Sequence, residues 1–312
     1  MILKKIVNDA EFYLSKKLLK NYKIIDNKDG NIINEIEKNK EKKIEIKNAV
    51  ITVPAYFNQK QREATLNASK IIGLNVKTMI NESTAASLAY AYSSFKNDEN
   101  KKIIVIDFGG GTLDITLLRY VKNKDGVYCD VKFTYGDTHF GGEDFDNILM
   151  TKCIEKYNQI RANNRNNQNN NFNIFNENHI LRLKRACERA KIKLSTYEYT
   201  KIHIENDDYD SFEIPITRKD FIDYCKGKFE EFKDFIKKSK IDIKEIAEII
   251  LIGGTTLIPK VREIINDIFK YSIIHIDLDP KEVVAMGASI RAAKISNLPS
   301  VEDITLFDVT IF

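Results

Sequence analysis

The stretch that decides the fold is Ile103-Ile-Val-Ile-Asp107-Phe-Gly109-Gly110-Gly111-Thr112-Leu-Asp114-Ile-Thr116. Apolar residues lead into three glycines and resume after them, which predicts a strand, a tight turn and a second strand. Three glycines let backbone N–H groups converge on an anion, because no Cβ stands in the way. Asp107 falls at the strand end, where a carboxylate can hold a magnesium ion through water. Thr112 offers a hydroxyl to a phosphate oxygen, and Asp114 is placed to orient a water.

This glycine turn has an ordinary alternative, since glycine clusters often mark simple turns without a ligand. The flanking Asp107 and Thr112 favour phosphate binding over that alternative. The turn is not a Walker loop, because no G-x-x-x-x-G-K-[ST] pattern occurs in the sequence.

Two further glycine pairs indicate anion sites. The run Ile249–Pro259 predicts a buried strand, a glycine turn and a helix with proline in its first turn. The run Gly136–Asp146 predicts a helix with acidic residues in its first turn. A helix N-terminus behind glycines is suited to a nucleotide or another anion. The turn residues in question are Gly253, Gly254 and Thr255 in the first run and Gly141, Gly142 and Glu143 in the second.

Two helices rich in small residues are predicted, one after Asn81-Glu82 and one after Asp279-Pro280. Small faces let helices approach closely, so we expect these two to cross. The alternative is that alanine is merely a good helix former.

The remaining segments predict a second structured region and two insertions. Residues 2–19 carry an apolar residue at every fourth position, which predicts an amphipathic helix. Residues 20–47 are rich in Lys, Asn and Glu and predict a solvated insertion. A strand is expected from Asn48 to Pro54, and Asn58 with Gln61 forms a capping-box signature for a helix to about residue 72. Residues 163–178 are rich in Asn and predict a surface loop.

Composition excludes several classes of protein. With 43% hydrophobic and 30% charged residues the chain can build a core, and a net charge of +4 argues against nucleic-acid binding. The four cysteines form no C-x-x-C pair, which favours small buried side chains in a reducing compartment. No apolar run reaches the roughly 18 residues that a membrane span needs. We therefore expect a cytoplasmic location and no membrane partner.

Six motifs, taken in order along the chain, resemble the nucleotide-binding (ATPase) domain of the 70-kDa heat-shock proteins, the DnaK-type chaperone family. The resemblance covers nearly the whole chain apart from residues 20–47 and the Asn-rich loop. Arg185–Lys191 and the ending Leu306–Thr310 look like cytosolic members of the family. The six motifs are Asn48–Phe57, Ile80–Ala86, Gly109–Gly111, Gly136–Asp146, Arg185–Lys191 and Gly253–Lys260.

The fold that this resemblance implies is α/β: the actin-like ATPase, or ribonuclease H-like, fold with two lobes. The family's first phosphate hairpin, D-x-G-T-T, and the catalytic lysine after it do not occur in this sequence. We therefore expect an incomplete first lobe and a slower ATPase. The implied domains are a partial lobe I at 1–95, a lobe II base at 96–140 and 222–285, an upper lobe II subdomain at 141–221, and a return helix with the start of an interdomain linker at 286–312.

The resemblance implies ATP or ADP with Mg²⁺ as the bound cofactors. The residues that match the family's catalytic positions are Glu82, Asp107, Thr112 and Asp114, of which Glu82 and Asp107 hold Mg²⁺ through water. Those that match its nucleotide contacts are Gly109, Gly110, Gly111, Thr112, Gly141, Gly142, Glu143, Glu188, Lys191, Ser195, Gly253, Gly254 and Thr255. Pro54 and Arg62 match an allosteric proline–arginine relay.

The implied partners are J-domain co-chaperones and nucleotide exchange factors, with unfolded polypeptides as clients if a peptide-binding domain follows.

Two positions depart from the family, because Ile192 and Leu257 stand where it has arginines that stack on adenine. Two alternatives stay open: a catalytically inactive fragment that serves as a co-chaperone interaction module, and another kinase of the actin-like superfamily.

Overall fold

The computed structural model describes residues 2–21, 44–93, 99–123, 126–163, 177–204, 212–298 and 304–307. The chain divides into two compact units. The described residues of the first unit come from Met1–Val53 and Phe57–Ile80, and those of the second come from Pro54–Tyr56 and Asn81–Ile311. No described helix has the length and apolar character needed to cross a membrane.

The first unit contains two helices and a two-stranded sheet. Its elements are α1 (Ile2–Asn21), β1 (Asn48–Val53), α2 (Gln59–Ile71) and β2 (Asn75–Asn81), and β1 is hydrogen-bonded to β2. The capping box predicted for α2 is confirmed. The Asn58 side chain accepts the Gln61 N–H at 3.0 Å, and the Gln61 side chain accepts the Asn58 N–H at 2.9 Å.

The helix predicted near the start of the chain is confirmed as α1, but its apolar stripe is not buried. Ile2 is 79% exposed and Ile6 is 57% exposed. Among residues 2–17 of α1, whose burial the structure describes, Glu11 is buried, and its carboxylate accepts the Ile46 N–H at 2.9 Å. Of the predicted insertion 20–47, residues 20 and 21 are helical, and residues 22–43 lie outside the described residues.

The second unit is built on a six-stranded mixed sheet in the order β10-β5-β4-β3-β8-β9. Strand β4 is antiparallel to both β3 and β5, whereas the pairs β3–β8, β8–β9 and β10–β5 are parallel. Strands β6 and β7 form a separate antiparallel pair. The strands are β3 (Glu99–Phe108), β4 (Leu113–Asn123), β5 (Gly126–Asp137), β6 (Tyr199–Ile204), β7 (Phe212–Thr217), β8 (Ile246–Ile252), β9 (Ile273–His275) and β10 (Ile304–Phe307).

Seven helices accompany this sheet in the described part of the second unit. They are α3 (Glu82–Ser93), α4 (Gly142–Asn163), α5 (Glu177–Thr196), α6 (Arg218–Tyr224), α7 (Lys226–Lys238), α8 (Pro259–Ile268) and α9 (Val283–Ile295). Helix α8 begins with the proline predicted in its first turn. Asn163 and Glu177 are helical, so the Asn-rich loop is shorter than predicted, and residues 164–176 lie outside the described residues.

The strand–turn–strand predicted around the triple glycine is confirmed by the pairing of β3 with β4. The register sets Asp107 opposite Asp114. On the neighbouring strands, Asp114 pairs with Gly136 and Asp107 pairs with Ile252. Asp107 and Asp114 therefore lie in one row across the sheet. This row is at the end of the strands where the glycine turns begin.

A core of aromatic and aliphatic side chains fixes this edge of the sheet. The Phe108 ring lies 5.2 Å from the Phe140 ring and 5.0 Å from the Phe232 ring, measured between centroids. Phe108 directly precedes the triple glycine, so the turn starts from a fully packed position. The cysteines are buried, as predicted: Cys129, Cys153, Cys187 and Cys225.

The predicted close crossing of the two small-residue helices, α3 and α9, is confirmed. A Cβ added at Gly287 would lie 1.7 Å from the Ala85 carbonyl oxygen, so the two backbones touch. Helix α9 begins at Val283, later than the sequence predicts. The reason is a turn in which the Asp279 side chain accepts the Lys281 N–H at 2.8 Å.

The segment that resembles the start of an interdomain linker contributes β10 to the edge of the sheet. Leu306 pairs with Cys129 in a parallel register with β5. Of the predicted return helix and linker start at 286–312, residues 299–303 and 308–312 lie outside the described residues.

Candidate functional site

Three glycine turns meet at the end of β3. In the first, the Gly109 N–H donates to the Thr112 carbonyl at 3.0 Å. The Gly109 carbonyl accepts the Gly142 N–H at 2.9 Å and the Thr255 hydroxyl at 2.7 Å. One carbonyl oxygen therefore holds the second and third turns against the first.

The close approach of these turns explains why two of their positions are occupied by glycine. A Cβ at Gly141 would lie 2.2 Å from the Gly110 carbonyl oxygen. Gly253 has φ +83, and a Cβ there would lie 2.4 Å from the Phe108 carbonyl oxygen. Gly110 and Gly111 differ, because they are exposed and no atom of the described ranges lies within 4 Å of the Cβ that a side chain would add. The tip of the first turn is therefore open to a ligand.

Three carboxyl groups cluster beside the first turn: Glu82 at the start of α3, Asp107 at the end of β3, and Asp114 at the start of β4. Burial and the neighbouring Asp107 raise the pKa of Glu82 to about 8, and Glu82 donates a hydrogen bond to Asp107. Burial raises the pKa of Asp107 to about 6. Burial, Asp107 and Asp137 raise the pKa of Asp114 to about 7. The cluster thus holds protons near neutral pH, because its negative charges are crowded and desolvated.

Asp114 is the least satisfied member of this cluster. Its Oδ1 atom is buried and has no hydrogen-bond partner among the described residues. A buried carboxylate oxygen without a donor is costly, and a cation or a bound water would satisfy it.

The chemistry of this donor set fits a hydrated divalent cation. Carboxylate oxygens are the ligands that Mg²⁺ prefers, and Mg²⁺ usually keeps several of its waters. Within the described ranges, no three His, Cys, Asp or Glu side chains are arranged to hold a metal ion directly. That Glu82 and Asp107 hold such an ion through water stays a prediction.

Gly136 is a residue of this site to which the sequence analysis gave no role. A Cβ at this position would lie 2.0 Å from Asp114 Oδ1 and 3.0 Å from Cδ2 of the Tyr56 ring. Gly136 thus leaves the space that the Asp114 carboxylate occupies. The signal available in the sequence was a glycine within a strand, which often marks a close approach.

The side chains of Lys191 and Thr255, which are predicted to contact nucleotide, donate hydrogen bonds to other residues of the protein. Lys191 is buried and donates to the Asp146 carboxylate at 2.7 Å and to the Gly142 carbonyl at 2.8 Å. Asp146 was not among the predicted site residues. Glu143 and Glu188 are exposed, and the Ser195 hydroxyl donates to the Lys191 carbonyl at 3.3 Å.

The remaining predicted residues are Gly254, Pro54 and Arg62. Gly254 is exposed, with the Lys281 side chain 3.9 Å from where its Cβ would stand. Pro54 belongs to the second unit and Arg62 to the first, where the Arg62 Nε donates to the Phe57 carbonyl at 3.0 Å. The proline–arginine relay stays a prediction.

The comparisons with known proteins agree with one another on the family. A family model described as "Hsp70 protein" matches residues 27–312. A heat shock 70 kDa protein of Penicillium citrinum is 39% identical over 276 residues, which cover 85% of this chain and 51% of that protein. A ribosome-associated molecular chaperone of Zygosaccharomyces rouxii is 37% identical over 263 residues, covering 83% of this chain and 41% of that protein. The chain thus spans about half, or less, of the length of these relatives.

Proposed function

This chain belongs to the Hsp70 protein family, and on that premise we propose that it binds ATP or ADP with Mg²⁺ and hydrolyses ATP. The chain has the actin-like ATPase fold of that family, with a mixed α/β architecture. The observation that carries the proposal is the position of the Glu82, Asp107 and Asp114 carboxyl groups beside the exposed Gly110 and Gly111 turn.

The first glycine turn would bind the phosphates. Gly110 and Gly111 present backbone without side chains, and Thr112 adds a hydroxyl at the start of the next strand. Backbone N–H groups in glycine turns bind phosphate oxygens well, because the N–H dipoles can converge on the anion. The turns at Gly142 and Gly253 support this geometry through the Gly109 carbonyl and through contact with Phe108.

The carboxyl cluster would hold the cation and activate water. A bound Mg²⁺ neutralises charge on the phosphates and supplies an electrostatic contribution to phosphoryl transfer. The Glu82–Asp107 pair would lose the proton that it shares in the ligand-free protein, and both carboxylates would accept hydrogen bonds from the waters of the ion. Asp114, with a pKa of about 7, is suited to accept a proton from the attacking water near neutral pH.

The proposal implies that the adenine base is bound more weakly than in other members of the family. Ile192 is 52% exposed, and Leu257 is half-buried, at the positions where the resemblance places adenine-stacking arginines. A cation–π contact contributes roughly 0.5–2 kcal/mol, so the loss of two such contacts weakens binding by about ten- to a thousandfold. We therefore expect dissociation constants that are higher than is usual for the family.

The same observation favours a second candidate function. If nucleotide binding is too weak to matter in the cell, the domain serves as an interaction module for J-domain proteins and exchange factors. These partners, a cytosolic location and any action on unfolded polypeptides are proposals from the resemblance. Action on polypeptides is proposed only for a longer protein, because the chain spans about half or less of its curated relatives.

Isothermal titration with Mg-ATP and Mg-ADP up to millimolar concentration tests the first proposal. We expect binding for the unsubstituted chain, a loss of at least tenfold in affinity for Asp107→Asn, and no change for the exposed control Asp223→Asn. Removing Mg²⁺ with EDTA is expected to abolish the difference between the chain and Asp107→Asn. No heat at millimolar nucleotide would exclude the ATPase function for this chain. A pull-down that recovers J-domain proteins would then favour the interaction module.

A further inference from the structure

A buried ion pair joins α4 to α5 directly behind the second glycine turn. Lys191 Nζ lies 2.7 Å from Asp146 Oδ2, and the two side chains are only 11% and 4% exposed. The other carboxylate oxygen, Asp146 Oδ1, is buried and finds no hydrogen-bond partner in the part of the chain that the structure describes. Lys191 therefore supplies the side-chain hydrogen bond to the Asp146 carboxylate, and Lys184 adds a weaker attraction without a hydrogen bond.

The same ammonium reaches the backbone of the turn. Lys191 Nζ donates to the Gly142 carbonyl at 2.8 Å, and the Gly142 N–H in turn donates to the Gly109 carbonyl at 2.9 Å. A Cβ on Gly142 would lie 2.6 Å from the Thr255 hydroxyl and 3.1 Å from Lys191 Nζ. A continuous set of hydrogen bonds thus runs from Asp146 through Lys191 and Gly142 to the first glycine turn.

Net stability is a weak explanation for this arrangement. Burying two charges costs desolvation energy, and well-packed apolar residues often serve a fold as well or better. An ion pair differs from an apolar pair because it supplies a hydrogen-bond donor, here the Lys191 ammonium, with a fixed direction toward the Gly142 carbonyl.

We propose that Asp146 and Lys191 form a positioning pair that fixes the Gly142 turn, and through it the phosphate-binding Gly109–Gly111 turn. Asp146 orients the Lys191 ammonium, and Lys191 holds the carbonyl of the turn. The phosphate part of this statement rests on the proposed function. The turn geometry itself does not, and it can be measured without nucleotide.

Amide hydrogen exchange on the ligand-free chain tests the positioning role. The reporters are the N–H groups of Gly142 and Glu143, which donate to the Gly109 and Gly110 carbonyls. We expect exchange at both to accelerate at least tenfold in Lys191→Met and in Asp146→Asn, and to return toward the original rate in Lys191→Arg. The control is Lys152→Met, which removes an exposed lysine paired with Glu155 on α4 and should change neither rate.

If Lys191→Met fails to fold, Asp146→Asn decides the matter alone, because it keeps an oxygen acceptor for Lys191. Unchanged exchange at Gly142 and Glu143 in a folded variant would overturn the proposal. Acceleration confined to these two amides, with the protected amides of β3 unaffected, supports it.

Titration with ADP and with adenosine then separates positioning from direct contact. If the two residues form a positioning pair, Lys191→Met should weaken the binding of ADP by at least tenfold and that of adenosine by less than threefold. The reason is that only ADP has phosphates to contact the Gly109–Gly111 turn. Equal losses for both ligands, with unchanged exchange, would make Lys191 a nucleoside contact and overturn the positioning role. If the unsubstituted chain binds neither ligand, the proposed function fails, while the exchange result still decides the positioning role.

Discussion

Glu82 and Asp107 are joined by a carboxyl–carboxyl hydrogen bond, although one begins α3 and the other ends β3. Such a bond needs a proton, and burial together with the crowding of the carboxyl groups raises the pKa of the pair so that it keeps one near neutral pH. The ligand-free site is therefore organised around a proton at the place where the proposed function puts a hydrated cation. Binding of a divalent cation should release protons, because the same oxygens cannot serve both.

The pH dependence of stability follows from these carboxyl groups. The pKa of Asp114 rises from 3.8 to about 7 in the folded chain, so the folded state binds its proton more tightly than the unfolded state does. The stability that this group adds is complete below pH 4 and is lost as the pH rises through about 7. We expect Asp114→Asn to raise the melting temperature at pH 8 and to leave it nearly unchanged at pH 5.

Thermal unfolding of the metal-free chain from pH 5 to 8 measures this effect. Each kcal/mol corresponds to roughly 2–4 °C in melting temperature for a domain of about 150–250 residues. The exposed variant Asp223→Asn should follow the unsubstituted chain at every pH. An Asp114→Asn effect of the same size at pH 5 and pH 8 would show that the carboxylate charge is not its cause.

A methyl group at position 136 should displace the Asp114 carboxylate. The added Cβ would lie 2.0 Å from Asp114 Oδ1, far inside contact distance. We expect Gly136→Ala to cost about 1–3 kcal/mol in the free energy of unfolding, as overpacking does. In an Asp114→Ala background the same change should cost much less, because the colliding oxygen is gone. Urea unfolding of the four proteins gives the coupling, and equal costs in both backgrounds would refute the collision.

A similar experiment applies where α3 and α9 cross. Gly287→Ala would set a methyl group 1.7 Å from the Ala85 carbonyl oxygen, and backbone cannot yield as a flexible side chain can. We expect a loss of about 3 kcal/mol or more in unfolding free energy. The matched control is Gly227→Ala in α7, where no atom of a described residue lies within 4 Å of the new Cβ. That change should stabilise the fold by about 0.5–1 kcal/mol. A harmless Gly287→Ala would mean that the helices can separate at little cost.

Glu248 on β8 is predicted to be essential for the stability of the second unit. Its carboxylate accepts the Tyr90 hydroxyl at 2.6 Å and the Lys101 ammonium at 2.5 Å, and His275 Nε2 lies 2.6 Å from it. Burial alone would raise its pKa, but these contacts hold the pKa below its usual value. This stability is present above about pH 4.5 and is lost as the pH falls below it.

We expect Glu248→Ala to cost about 3–5 kcal/mol, because it leaves the Lys101 ammonium buried without its carboxylate. Urea unfolding at pH 7 measures the loss. Lys101→Met in the same background should recover part of it, and Glu155→Ala, in an exposed pair with Lys152, should have little effect. A cost for Glu248→Ala no larger than that of Glu155→Ala would contradict the prediction.

The elements that the sequence predicts correctly are those specified by neighbouring residues. The strand–turn–strand around Gly109–Gly111 follows from local apolar runs and glycines, and the Asn58–Gln61 capping box needs only four residues. The close crossing at Gly287 followed from composition, because small side chains permit contact between backbones.

The parts that the sequence did not reveal depend on partners far away in the chain. Gly136 matters because the register of β4 with β5 sets it beside Asp114. Asp146 matters because Lys191, 45 residues further on, is its partner. The Thr255 hydroxyl donates to the Gly109 carbonyl, 146 residues away, and its predicted contact with nucleotide stays a prediction. Sequence patterns identify residue types that suit a ligand, and only the fold decides whether their polar atoms face it.

The joining of the three glycine turns also bears on the order in which the protein folds. Thr255 and Gly109 are 146 residues apart, so the hydrogen bond between them requires a chain that has already closed a very long loop. A ligand that recognises the joined turns binds only the finished fold and not the nascent or partly folded chain. Such a ligand would therefore act as a late-stage folding aid, shifting the equilibrium toward the native state by mass action.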